Sequence, residues 1–169
     1  MNQIKRYKIF SGQPKILIIS IALLLLCSLA FQALPSSIYE NMLDLKFGFN
    51  YQDIITLFEV LSSEERNIYI ISSLTLDIIF PALYVTFFLG LYSVLEINNN
   101  KLIIFPVLAG ISDILENIQI ALLMYSKPDQ ITNIQLIFGS SFNQIKWILV
   151  FLSLAILIFA IFKKGLKRF

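Results

Sequence analysis

The sequence predicts an all-α membrane protein: a bundle of four transmembrane helices, with one or two short amphipathic helices in the outer loop between the first two. Three observations carry that expectation. Four apolar runs are long enough to cross a hydrocarbon core, which takes about 20 helical residues. The 169 residues are 57% hydrophobic and only 14% charged, where soluble domains carry roughly 25% charged residues. The cations gather at the chain ends, with Lys5, Arg6, Lys8 and Lys15 before the first run and Lys163, Lys164, Lys167 and Arg168 after the last. A soluble fold of this size has too little interior to hide so much apolar surface, so a single domain, 1–169, covered by lipid is expected.

The runs fall at about 16–34, 68–95, 102–125 and 134–162. The second and fourth exceed the minimum and have length to tilt or protrude. Pro81 lies inside the second and is expected to bend it, because proline removes one helical hydrogen bond. Asn98-Asn99-Asn100-Lys101 is a turn short enough to join only antiparallel helices. Positive flanks at both ends, and an even number of spans, place both termini in the cytoplasm. The segment 35–66 has only Lys46 and Arg66 against six acids, as an outer loop should. An alternative start is open: the basic leader, apolar core and Ser28-Leu29-Ala30 also fit a cleaved signal peptide, which leaves three spans. Ile- and Asn-rich usage suits an AT-rich genome and a bacterial plasma membrane.

The outer segment 35–66 carries its own signals. Asn50 followed by Asp53 reads as a helix start, and Ile54, Phe58 and Leu61 then recur at helical spacing. Gly48 marks a break from an earlier stretch, 39–47, whose Met42 and Leu45 are expected to face lipid. The picture is of short amphipathic helices lying at the outer interface.

Inside the spans sit residues that hydrocarbon does not tolerate alone, at roughly 2.5–3.5 kcal/mol each on insertion scales. They are Asp77 in the second span, Asp113 and Glu116 in the third and Lys146 in the fourth, accompanied by Asn117, Gln119, Asn143 and Gln144. Asp113, Glu116 and Asn117 share a helix face, as do Asn143, Lys146 and Trp147. Ser73, Asp77 and Tyr84 fall along one stripe. The three faces are expected to converge, with Asp113 and Lys146 near the midplane and Asp77, Glu116 and Asn117 nearer the outer side. Three carboxylates against one ammonium leave a negative excess that a dry site does not hold. Either carboxyl groups are protonated or a cation is bound, and Trp147 with Tyr84, Tyr92 and Tyr125 is a candidate aromatic wall for an organic cation. A plain packing network, with Asp77 paired to Lys146 and Glu116 bonded to Asn143, is the competing interpretation.

The composition also excludes. There is no histidine, and Cys27 is the one cysteine, so an intramolecular disulfide, Cys/His zinc and thiol–imidazole chemistry are ruled out. Only carboxylate acid–base catalysis stays open, and no catalytic residue, metal or cofactor is assigned. The short basic ends fit topology signals and anionic lipid rather than nucleic acid.

Leu76-Asp77-Ile78-Ile79-Phe80-Pro81, followed by Tyr84, sits in a four-span frame with internal termini, a structured outer segment and a basic tail. In this the chain resembles the emopamil-binding, or EXPERA, family. That resemblance implies a cavity for sterols or amphipathic amines, with a membrane-embedded acid contacting the ligand's cation; by position that acid is Asp77. The family's isomerases depend on histidine, so the resemblance does not extend to isomerisation. Leu-Asp-x-x-Phe-Pro with a later Asp-x-x-Glu-Asn also resembles small bacterial membrane proteins of no assigned role. The expected function is binding of a small lipid-like or cationic amphipathic ligand by Asp77, Tyr84, Asp113, Glu116, Asn117, Asn143, Lys146 and Trp147. The alternatives are proton or cation transport and a non-catalytic role in membrane-protein assembly. Membrane lipids, a second copy of the chain or another membrane protein are the expected partners.

Overall fold

Local cap chemistry starts most of the helices. The computed structural model describes residues 3–166, and among these every regular element is helical. Four segments are long and apolar enough to cross a membrane: Pro14–Gln32, Ser63–Val94, Asn100–Tyr125 and Asn133–Gly165. They coincide with the four predicted runs, lengthened where polar caps begin a helix ahead of its apolar stretch. Helix α1 (Gln3–Ser11) is formed by the basic flank itself, and α2 (Pro14–Gln32) opens with proline in its first turn. A short α3 (Ser36–Tyr39) and a 3-10 turn (Leu43–Leu45) lead to α4 (Tyr51–Val60).

The predicted start of α4 is a complete capping box: the Asn50 side chain accepts from Gln52 and Asp53, and Asp53 accepts from the Asn50 N–H. Ser62 and Glu65 form a second box at α5 (Ser63–Leu74). Thr132 and Gln135 exchange the same bonds at the start of α8 (Asn133–Leu166). Asn99 caps α7 (Asn100–Tyr125).

The second membrane-length segment is interrupted at Thr75, between α5 and α6 (Leu76–Val94). Thr75 adopts φ −121°, ψ −76°, and its hydroxyl donates to the Ile71 carbonyl at 2.6 Å. Helix α6 continues through Pro81, where a bend is expected, without a break in the helix. The carbonyl freed by the proline, that of Asp77, accepts a hydrogen bond from Asn117 Nδ2 at 2.9 Å. A neighbouring helix thus supplies the donor that proline lacks.

Packing is serial: α2 lies on α6, α6 on α7 and α7 on α8, while α6 and α8 scarcely touch. Helix α2 buries little of itself, with Ile18, Leu25, Leu26 and Leu29 all exposed. Its one buried residue, Ser20, bonds its own Ile16 carbonyl. The outer face of α8 likewise exposes Phe151, Phe159 and Phe162.

The two ends of the molecule differ in charge. Lys8 donates to the Ile97 carbonyl and to Asn98 Oδ1, and Lys164 to the Val94 carbonyl, so α1, the α6–α7 turn and the end of α8 share one end. That end holds Lys5, Arg6, Lys15, Lys101 and Lys163 as well. Lys167 and Arg168 of the expected basic tail lie outside the described residues. The outer segment occupies the opposite end. Its apolar residues face the bundle: Ile38, Met42, Leu43, Phe49, Ile54, Leu57 and Leu61 are buried in one apolar core with Tyr69, Ile120 and Leu123. Met42 is therefore interior rather than lipid-facing, and only Leu45 is exposed. The chain breaks between α3 and the 3-10 turn, so these residues share no helix face.

Candidate functional site

Asp77, Asp113, Glu116, Asn117, Asn143 and Lys146 are buried, whereas Gln119 is half-buried and Gln144 exposed, and the network of the buried six sits beneath the outer segment. On α7, Asp113, Glu116 and Asn117 present one face, as their spacing requires. Glu116 is fully buried between two partners: Lys146 Nζ lies 2.6 Å from its Oε2, and Asn143 Nδ2 donates to its Oε1 at 2.6 Å. Lys146 lies a looser 3.8 Å from Asp113. Asn117 Nδ2 bridges Asp113 Oδ1, at 2.9 Å, and the Asp77 carbonyl. The expected pairing of Asp77 with Lys146 does not form, whereas the expected bond of Glu116 to Asn143 does. Helix rotation puts Glu116, not Asp77, directly opposite Lys146.

The face Asn143, Lys146, Trp147 has a second task that its sequence did not reveal. Lys146 Nζ and Trp147 Nε1 both donate to the Asp44 carbonyl, at 3.0 and 3.2 Å. Asn143 Oδ1 accepts the Gly48 N–H at 2.6 Å, and Ser140 accepts the Phe49 N–H. One side of α8 thereby latches the turn 43–49 into the bundle. Gly48 is required at the bend: its φ is +83°, and a Cβ there would lie 2.6 Å from Gln144 Nε2.

Between α6 and α8, which scarcely touch, lies a cavity of about 320 Å³. Its inner wall holds Asp77, Tyr84, Phe88, Asp113 and Lys146, all buried. Its mouth is framed by Leu45, Phe80, Trp147 and Val150, each partly or fully exposed, and Asp44 closes it from above. Phe80, Tyr84 and Phe88 meet edge to face in succession, and Phe31 of α2 extends the row. Trp147 stacks on Phe151, with Lys146 Nζ 5.5 Å from its ring centroid.

Two carboxylate oxygens of this wall, Asp77 Oδ2 and Asp44 Oδ1, are shut off from solvent without a hydrogen-bond partner among the described residues. Asp77 itself is only 4% exposed. Asp44 lies outside the spans, and burial raises its carboxyl above the ordinary range, with the Lys146 ammonium opposing. The Tyr84 hydroxyl lies toward Asp113. Among the described residues no three potential ligands gather closely enough to hold a metal ion.

Of the predicted residues, Asp77, Tyr84, Asp113, Lys146 and Trp147 line the cavity, while Glu116, Asn117 and Asn143 stand behind it as its support. Ser73 is buried on α5, beyond the Thr75 break and off the cavity wall. Tyr92 is buried elsewhere, donating to the Ser153 carbonyl, and Tyr125 is exposed at the far end of α7. Neither joins the aromatic wall; Phe80 and Phe88 do. Asp44 was counted only as loop charge. Its one sequence signal is its place between the apolar Leu43 and Leu45, ahead of the glycine bend.

No family model, curated protein or solved structure matches this chain.

Proposed function

We propose that the chain is a multi-pass integral membrane protein, with both termini cytoplasmic, that binds a small amphipathic cation in the cavity between α6 and α8. The observation that carries this is the pair of buried, unpartnered carboxylate oxygens, Asp77 Oδ2 and Asp44 Oδ1, on the wall of a cavity whose mouth is apolar. Asp44, Asp77, Asp113 and Glu116 face one ammonium, Lys146, and that ammonium is already held by Glu116. A low-dielectric wall favours a cationic guest, which offsets the excess and gives the free oxygens a partner. The aromatic row and Trp147 suit a substituted ammonium, and the apolar mouth suits an alkyl tail lying toward lipid. The volume falls at the small end of ligand pockets. The four apolar helices, their exposed faces and the concentration of cations at one end support the topology. The resemblance to the EXPERA family points to the same ligand class.

A cation pathway is less well supported, because beyond Asp113 the core toward the basic end is an apolar cluster around Leu89, Ile103 and Leu157.

The test is thermal unfolding of the protein purified in a neutral detergent. Octyltrimethylammonium is expected to raise the melting temperature, whereas octanol and octyl sulfate are not. Asp77→Asn is expected to weaken the amine response by about tenfold, the loss of roughly 1.4 kcal/mol. Equal responses to amine and alcohol, or an undiminished response in the variant, would leave the network a packing device.

A further inference from the structure

The basic end of the molecule carries a second apolar hollow, unrelated to the acidic cavity. Helix α1 lies against the last turns of α6, where Gly90 and Gly12 allow the backbones to approach. A Cβ at Gly90 would lie 2.6 Å from the Ser11 carbonyl oxygen, and one at Gly12 2.5 Å from Ser93 Cβ. Lys8 and a bond between the Tyr7 hydroxyl and Thr86 fix the helix in place. Because α1 rests on α6 and hardly on α7, a groove with about 720 Å³ of space opens beside it. Its floor is Val85, Leu89 and Val107, its side is Phe10, and Arg6 stands at its rim.

Among the described residues no acid answers the cations here. Arg6 and Lys5 are exposed on α1 and Lys101 is exposed at the start of α7, and none is in an ion pair among the described residues. Lys5 and Lys101 line an adjoining depression, next to Arg6 along α1. Glu96 is the one carboxylate of the neighbouring turn, and it lies on the side facing Lys163 and Lys164. An apolar groove as long as several methylenes, rimmed by three unpaired cations at the end of a membrane-length helix, matches an anionic lipid in both its parts. A zwitterionic lipid brings an ammonium that the same cations repel, and a soluble anion leaves the groove unfilled.

We propose that the groove between α1, α6 and α7 seats one anionic phospholipid, its phosphate at Arg6, Lys5 and Lys101 and an acyl chain along Val85, Leu89 and Val107. The site is independent of the cavity between α6 and α8, and α1 is held in place as its wall.

Native mass spectrometry of the detergent-purified protein, with added phosphatidylglycerol or phosphatidylcholine, tests it. One phosphatidylglycerol is expected to be retained in preference to phosphatidylcholine by about tenfold, as unpaired cations near the surface predict. Val107→Trp, which fills the groove, and the exposed triple variant Lys5→Gln/Arg6→Gln/Lys101→Gln are each expected to abolish the preference. Both are expected to keep the melting response to octyltrimethylammonium, which shows that they fold and separates this site from the acidic cavity. Equal retention of the two lipids overturns the proposal. So does a preference that survives Val107→Trp, since attraction to charge alone needs no groove. Stabilisation by glycerol 3-phosphate equal to that by phosphatidylglycerol overturns the acyl seat as well.

Discussion

Asn117 completes what Pro81 leaves undone. Proline at this position of α6 has no N–H for the Asp77 carbonyl, and Asn117 of α7 donates to that oxygen at 2.9 Å while holding Asp113 with the same nitrogen. One amide thus joins a proline, two acids and two helices, and it keeps α6 continuous beside the cavity.

This bond predicts a compensating pair. Asn117→Ala is expected to cost about 2 kcal/mol, the penalty of leaving a buried acceptor unpaired. Adding Pro81→Ala is expected to recover roughly half of it, because an alanine N–H reaches the Asp77 carbonyl within the helix. Denaturant unfolding in micelles measures the cycle; strict additivity of the two substitutions would show that the shared carbonyl does not couple them.

The pair Glu116–Lys146 predicts asymmetric losses. Lys146→Met strips the ammonium from a fully buried carboxylate and one donor from the Asp44 carbonyl, at a cost of about 3–5 kcal/mol. The double variant Glu116→Gln/Lys146→Met is expected to be more stable than Lys146→Met alone. A double variant less stable than the single one contradicts this.

Asp44 predicts a dependence on pH. Burial raises its carboxyl in the folded protein. A raised folded value means that its contribution is full below the unfolded value of about 3.9 and is lost as pH rises through the folded value. Asp44→Asn is therefore expected to melt higher than the parent near neutral pH, with the difference closing as pH falls toward about 4. The same variant is expected to respond less to octyltrimethylammonium. A lower melting temperature at neutral pH would place the carboxylate in a favourable pairing instead.

Gly48 predicts the strength of the latch over the cavity. Gly48→Ala is expected to cost about 1 kcal/mol from its positive φ, and adding Gln144→Ala is expected to relieve only the contact with that side chain. Chymotrypsin is expected to cut near Phe47 and Phe49 faster in Gly48→Ala, and equal rates would show that the bend does not hold the turn.

The capping of α4 by Asn50 and Asp53 and the shared face of Asp113, Glu116 and Asn117 were legible because they depend on a few neighbouring residues and the helical period. The Glu65 box and the Thr132–Gln135 box obey the same local rule and were readable by it. Helix α1 was read only as charge, since a basic segment of its length carries no strong period. Met42 was misplaced toward lipid because the period was applied across a chain break that becomes visible only with the 3-10 turn. Tyr92 and Tyr125 were grouped with Tyr84 by residue type, although their turns of helix lie at other depths.

Composition and period by themselves determined the number of membrane-length helices, the two charged ends and the buried ionisable residues Asp77, Asp113, Glu116 and Lys146, because each follows from transfer cost and local geometry along one helix. Tertiary structure alone decided that Lys146 meets Glu116 rather than Asp77, that α6 and α8 part to leave a cavity, and that Asp44 descends to close it. Those outcomes depend on how helices rotate and slide against one another. The energy that sets rotation and depth comes from contacts between residues as far apart in sequence as Asp44 and Lys146, which no pattern within a single helix contains.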